Sequence, residues 1–291
     1  MFGFFNIDKP LGMTSHDVVA RIRRVFKIKK VGHAGTLDPL ASGVLVICVG
    51  SATRLSDDVM HGEKGYRARV KFGVTTTTYD REGEITAQNS VDHLTAEAVM
   101  DALRGFVGEI DQVPPMYSAI KHGGKKLYDL ARSGVEVERA PRRVTIDELT
   151  LREWISPEAV IDVRCSAGTY IRSLAFDLGE ALGVGAHLSG LIRTRSGAFS
   201  LTNAVALDTL LDADPRDYLI TPRDAFPDVP SITLSDFQVQ EIQHGRAIPV
   251  PEQADTARVM GYNHVNTLIA ILDVRHGMAY PSRVFNSAVE D

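Results

Sequence analysis

The segment Gly32-His33-Ala34-Gly35-Thr36-Leu37-Asp38-Pro39-Leu40-Ala41-Ser42-Gly43 sets one carboxylate, Asp38, in a turn crowded with glycine and small residues, directly ahead of the apolar run 44–49. Gly35 and Gly43 tolerate positive φ, and Pro39 biases Asp38 away from helical backbone, so the turn is tight yet open to close approach by another backbone or a ligand. A polar group on a rigid loop beside a buried strand is a setting for chemistry. An ionised carboxylate placed there can attack an electrophilic carbon or help to expel a leaving group. It keeps its charge on burial only beside a cation, because desolvation alone would protonate it. Taken without its neighbours, an Asp-Pro pair is an ordinary capped turn.

The spacing of apolar residues predicts the frame around this turn. Thr14 or Ser15 caps a helix with Val18, Val19, Ile22, Val25 and Phe26 on one face and arginines on the other. Residues 44–49 read as a buried strand, and Tyr66, Ala68, Val70 and Phe72 alternate with Arg67, Arg69 and Lys71 as a half-buried strand with a basic outer face. Helices are expected over 95–106, over 127–133 with Gly134 as the stop, and from about 169 to Gly183 with Ile171, Leu174, Ala175, Leu178 and Leu182 inward. Strands are expected at 144–151 and 160–166. No regular βαβ alternation is present, so the expected class is α+β, a mixed and mainly antiparallel sheet flanked by helices.

A chain of 291 residues with 44% hydrophobic content can bury a large core. The acidic, proline-containing stretch that ends in Pro227-Asp228-Val229-Pro230 reads as a linker, which divides the chain into 1–228 and 229–291. Beyond it, 235–244 reads as a helix stopped by Gly245, and 267–274 and 280–285 as strands. No stretch approaches the ~18 apolar residues of a membrane span, and Met1-Phe2-Gly3-Phe4-Phe5 lacks the basic flank of a signal peptide, so a cytoplasmic protein is expected. Cys48 and Cys165 lie in strand-like runs and read as buried free thiols without metal-ligand spacing.

The net charge of −5 argues against a nucleic-acid partner until its distribution is read. Residues 1–72 carry 12 basic against 6 acidic side chains, whereas 201–291 carry 13 acidic against 6 basic. Residues 112–143 combine three prolines and three glycines with Lys121, Lys125, Lys126, Arg132, Arg139, Arg142 and Arg143, a composition expected of a mobile, basic insertion that contacts phosphates.

Five motifs in order carry a resemblance. Asp8-Lys9-Pro10-Leu11-Gly12-Met13-Thr14-Ser15 comes first, then the Asp38 turn, then Gly65-Tyr66-Arg67 followed by Thr76, Thr78 and Asp80 between Gly73 and Gly83. Gln112-Val113-Pro114-Pro115-Met116-Tyr117-Ser118-Ala119 follows, and Ala167-Gly168-Thr169-Tyr170-Ile171-Arg172 precedes Gly185-Ala186-His187-Leu188 with Leu191, Arg193, Thr194 and Arg195. The set closely resembles the bacterial tRNA pseudouridine-55 synthases of the TruB type. Ala34 and Ile192 depart from the family pattern, the latter where the family usually carries arginine.

The resemblance implies the pseudouridine-synthase fold with a small β-rich PUA-like C-terminal domain. It implies isomerisation of the uridine at position 55, in the T-arm loop of tRNA, to pseudouridine by a monomer that uses no cofactor and no metal. Asp38 would be the nucleophile, Arg172 its cation and Asp80 the residue that orients Arg172. Tyr66 would stack on the extruded base and is a candidate for removing the C5 proton. Tyr170 and Leu191 would complete the uracil pocket, and His33 would fill the space left in the RNA loop. Lys9, Lys121, Lys125, Lys126, Arg142 and Arg143 would contact RNA, with 112–143 closing over the tRNA arm. Attack at C1′, attack at C6 and elimination all remain open. So do two other readings, a tRNA-folding chaperone and a guide-RNA-dependent synthase.

Overall fold

The computed structural model describes residues 1–118, 121–122, 124–132, 135, 137–250, 253 and 255–285. Strand β1 (Gly3–Lys9) and helix α1 (Ser15–Phe26) open the chain, followed by β2 (Val31–His33) and β3 (Ala41–Val49). Helix α2 (Ser56–Met60) leads into β4 (Lys64–Phe72), and the hairpin of β5 (Val74–Thr76) and β6 (Ile85–Gln88) precedes α3 (Ala96–Arg104) and β7 (Gly108–Gln112). The insertion holds β8 (Lys121–His122), β9 (Lys125–Lys126) and α4 (Leu127–Arg132). Long strands β10 (Arg142–Ile155) and β11 (Glu158–Cys165) lead to α5 (Ile171–Ala181) and β12 (Ala186–Ser196). The pair β13 (Phe199–Ser200) and β14 (Val205–Ala206), with α6 (Leu207–Leu211) and α7 (Pro222–Ala225), completes this part.

The large sheet runs β14-β1-β3-β12-β4-β11-β10-β7, with β2 added to β3 and β13 to β12. Its pairings are antiparallel except β1 with β14 and β3 with β12. The parallel β3–β12 pair, in which Leu191 faces Ala41 and Arg193 faces Gly43, is the one that matters most. It sets the Asp38 turn, which immediately precedes β3, against the middle of β12. Helices α3 and α5 cover one part of the sheet through Val99, Leu103, Leu174 and Leu178 packed on Ala68, Val70, Ile161 and Leu188. Helix α1 covers the other through Val18, Val19 and Ile22 packed on Phe5, Leu45 and Ile47. Leu191 packs against both clusters, at the seam between them.

Local sequence accounts for most of these elements. Thr14 caps α1 in a reciprocal capping box with Asp17, and Thr95 caps α3 by accepting from the Ala98 N–H. Tyr66, Ala68, Val70 and Phe72 face inward along β4 as their alternation requires. Val25, expected inward, is exposed in the last turn of α1, just before Lys27 takes left-handed backbone and ends the helix. At α5 the cap is Tyr170, without a side-chain bond of its own, while the Thr169 hydroxyl donates to the Ser166 carbonyl instead. Both cysteines are buried free thiols, with burial pushing Cys48 up to about 12 and Cys165 up to about 11. Gly134, expected to stop α4, and the side chains of Lys121, Lys125 and Lys126 lie outside what is described.

A second sheet follows, built from β15 (Ser231–Thr233), β16 (Ile248–Pro249), β17 (Thr256–Tyr262), β18 (Leu268–Arg275) and β19 (Met278–Val284) in the order β15-β17-β18-β19-β16, with α8 (Asp236–Gln243) against it. Strand β17 was not foreseen from the sequence. Met260, Tyr262, Leu268, Ile271 and Phe285 join Phe4, Val46, Leu55 and Phe199 in one apolar cluster that locks the two sheets together. At its margin Asp58 accepts from Arg258 at 2.7 Å and from Arg283 at 2.8 Å. No helix among the described residues is long and apolar enough to cross a membrane.

The turn before β3 depends on Gly43, whose φ is +94° and whose missing Cβ would lie 2.3 Å from the Arg193 carbonyl. Gly43→Ala is therefore expected to cost more than about 2 kcal/mol, read by urea unfolding, since neither the backbone region nor the strand spacing admits a side chain.

Candidate active site

Asp38 is held by its backbone, not by luck of a flexible loop. Ser15, at the first turn of α1, accepts from the Leu37 N–H at 2.8 Å and donates to the Leu37 carbonyl at 3.2 Å. Gly12 donates to the Pro39 carbonyl at 2.8 Å, and Ala41 to the Asp38 carbonyl at 3.0 Å. From the opposite side Arg193, 2% exposed, spends its guanidinium on three carbonyls, Val44 through Nε at 2.7 Å, Gly35 through Nη2 at 3.1 Å and Thr36 through Nη1 at 3.3 Å. The DKP-type opening, the Asp38 turn and β12 thus meet in one knot.

Arg172 projects from the first turn of α5 into this knot with its side chain 9% exposed. Its Nη2 lies 3.2 Å from Asp38 Oδ2, and its Nη1 lies 3.3 Å from Asp80 Oδ2. Nη2 also donates to the Tyr117 carbonyl at 2.7 Å. The two carboxylates differ in setting: the Asp38 side chain is 42% exposed and faces the cleft, whereas that of Asp80 is 4% exposed. Asp80 is itself fixed, its Oδ1 accepting from Thr78 Oγ1 at 2.6 Å and from the Glu82 N–H at 3.0 Å. At 3.2 Å a pair of unit charges attracts by roughly 5 kcal/mol gross at an effective dielectric of about 20, before desolvation is subtracted. Asp80 anchors Arg172 from behind, and Arg172 turns its outer edge to Asp38.

The aromatic residues flank this pair. Tyr66 lies across β4–β12 from Arg193 and packs against the same cluster as Leu191 and Leu188. Burial raises the Tyr66 phenol, opposed by the neighbouring Arg193 guanidinium. Burial likewise raises Tyr170, against Ser118, Arg142 and Arg172 beside it. His33 is pushed down to about 4, chiefly by burial and then by His16 and Arg193, and its ring meets His16 edge-on at 5.1 Å. It is neutral at physiological pH, with Nδ1 buried and unpartnered among the described residues.

The geometry brings Asp38, Tyr66, Asp80, Tyr170, Arg172 and Leu191 to one cleft, and corrects one expectation. Lys9 is not a surface phosphate contact: its side chain is fully buried, its ammonium donates to the Pro10 and Met13 carbonyls at 2.9 and 2.6 Å, and burial lowers its pKa against the pull of Asp38. It ties together its own loop after β1. Arg142 is exposed; Arg143 is exposed but lies 3.5 Å from Asp111 and 3.8 Å from Glu109. The sequence pointed to no role for Arg193 or Gln112, and offered Ser15 only as an alternative helix cap, a place that Thr14 takes. For Arg193 a signal was present, since it stands two residues after Leu191 and strand alternation turns both inward.

A mixed sheet thus sets a half-exposed aspartate against a buried arginine with a tyrosine beside them. Residues 23–171 match the family described as TruB family pseudouridylate synthase (N terminal domain), and residues 172–224 match the tRNA pseudouridylate synthase B C-terminal domain. A tRNA pseudouridine synthase B of Symbiobacterium thermophilum is 53% identical over 248 residues, 84% of this chain and 82% of that protein. One from Dehalococcoides mccartyi is 42% identical over 290 residues, 98% of this chain and 97% of that protein. Among solved structures, a Cbf5-Nop10-Gar1 complex superposes with a TM-score of 0.75 at 28% identity, covering 98% of this chain and 84% of that chain. The chain belongs to the TruB family of pseudouridylate synthases.

Two outcomes follow from the charges. Removing Asp80 leaves Arg172 with one buried partner fewer, so Asp80→Ala is expected to lose about 3–5 kcal/mol in urea unfolding, and Asp80→Asn less. The folded His33 has a lower pKa than the unfolded chain, so between about 4 and 6.5 the unfolded state binds more protons and stability rises with pH. His33→Gln should flatten that part of the stability profile; an unchanged slope would mean that the ring titrates normally in the fold.

Proposed function

We propose that this chain isomerises the uridine at position 55, in the T-arm loop of tRNA, to pseudouridine, with Asp38 as the nucleophile. The carrying observation is the Arg172–Asp38 contact, in which a buried guanidinium anchored by Asp80 faces a half-exposed carboxylate. The reaction breaks the N1–C1′ bond, turns the base and joins C5 to C1′. It is redox-neutral and needs no metal or cofactor. Asp38 attacks the sugar or the base, or assists expulsion of uracil. Arg172 holds the Asp38 carboxylate in place, and Leu191 and Tyr170 with Tyr66 wall the pocket that retains the detached base. The base reaches them only when flipped from its loop, at a cost that stacking on Tyr66 offsets.

The catalytic unit is residues 1–228, with 229–291 a PUA-like domain, and the enzyme acts as a cytoplasmic monomer. Supporting the division, every site residue lies before residue 194, and the second sheet begins at Ser231. Lys121, Lys125, Lys126 and Arg142 carry the phosphate contacts of the insertion; Arg143, already beside two carboxylates, contributes less.

Asp38→Asn is expected to abolish tritium release from C5-labelled uridine in a tRNA transcript while leaving tRNA affinity within a few-fold, because the amide keeps the shape and loses the nucleophile. Turnover near wild type would place the chemistry elsewhere, and absence of release by the folded, tRNA-binding wild type would favour the chaperone reading. Affinity should also fall with salt, and neutralising Lys125, Lys126 and Arg142 together should lower the slope of log affinity against log salt by about two to three.

A further inference from the structure

The root of the insertion is stitched to the first turn of α5 by contacts that no step above employs. Gln112, the last residue of β7, is 2% exposed. Its Nε2 donates to the Tyr170 carbonyl at 3.0 Å, and its Oε1 accepts from the Tyr170 N–H at 2.7 Å. One amide thereby holds both backbone groups of a single residue. Because Tyr170 is the cap of α5 and has no side-chain cap bond, Gln112 does from outside what a capping-box residue does from within. Two further bonds run along the same seam, Ser173 Oγ to the Val113 carbonyl at 2.8 Å and Arg172 Nη2 to the Tyr117 carbonyl at 2.7 Å. The second is shorter than either of the contacts that Arg172 makes to a carboxylate.

The residues so fixed are those on which the site depends. Tyr170 carries a pocket ring, and Arg172, two residues on, carries the cation for Asp38. We propose that Gln112 is a positioning residue, and that its amide makes the insertion root and the start of α5 one mechanical unit, so that RNA bound by the insertion is coupled to the placement of Arg172 against Asp38. The inference rests on the roles given above to Asp38 and Arg172.

The test compares the full-length wild type, Gln112→Ala and Gln112→Glu on a tRNA transcript, measuring kcat under saturation, tRNA Kd and thermal unfolding. Gln112→Ala should lower kcat about ten- to a hundred-fold, as misplacement of a catalytic group by an ångström does, with Kd nearly unchanged. A protonated glutamate has the shape of glutamine and restores the donor to the Tyr170 carbonyl; an ionised one sets two acceptors against each other. Burial favours the protonated form. Gln112→Glu at mildly acidic pH should therefore recover most of the kcat that Gln112→Ala loses, and lose it again as pH rises. If Gln112→Ala does not fold, the pH-dependent recovery of kcat in Gln112→Glu at constant Kd carries the decision. A kcat within twofold of wild type for Gln112→Ala, a loss in Kd that matches the loss in kcat, or no recovery in Gln112→Glu at acidic pH each overturns the proposal. Failure of the underlying site assignment shows separately, as turnover by Asp38→Asn in the same assay.

Discussion

A guanidinium buried between two carboxylates is the constraint around which this molecule is arranged. Arg172 loses hydration that only close partners can replace, and the fold supplies Asp80 behind it, Asp38 in front and the Tyr117 carbonyl beside it. Each partner comes from a different part of the chain: the turn before β3, the loop between the short strands β5 and β6, and the root of the insertion. The sheet order makes this convergence possible, because β12 inserted between β3 and β4 draws the N-terminal third and the segment after β4 to the same seam.

The charge arrangement explains a division of labour between two chemically identical groups. Asp80, nearly fully buried and held by Thr78 and the Glu82 N–H, is a fixed counter-ion; Asp38 keeps a face toward the cleft and shares only one edge of the same arginine. The Asp38 turn and the loop after β1 are each stiffened by a group that is expensive to bury. Lys9 and Arg193 both end on backbone carbonyls, and no carboxylate among the described residues lies within ion-pair distance of either. Buried cations used this way fix backbone geometry through directional bonds that apolar packing cannot provide.

The second sheet contributes to this arrangement at a distance. It covers Phe4, Val46 and Leu55 on the large sheet and is tied there by Asp58 to Arg258 and Arg283. Strands β1 and β3, the second of which leads directly out of the Asp38 turn, are thereby buried on both faces, consistent with the unbroken apolar run 44–49 in β3.

Local sequence determined most of the elements and named most of the residues that meet at the candidate site. Thr14 with Asp17, Thr95, and Ser235 with Gln238 marked helix starts because capping involves residues three apart. The alternation from Tyr66 to Phe72 gave the strand that carries Tyr66, and the motif order gave Asp38, Asp80, Tyr170, Arg172 and Leu191. Tertiary structure alone decided what buried side chains do when their partners are far away in the chain. Lys9 looked like a surface cation and is enclosed by its own loop; Arg172 would pass for the polar face of an amphipathic helix and is instead its most constrained residue. Gln112 is 58 residues from the backbone it clamps, and Arg193 is about 150 from the carbonyls it holds. Periodicity reports which way a side chain points, and only the packing of strands and loops reports which polar group it meets there.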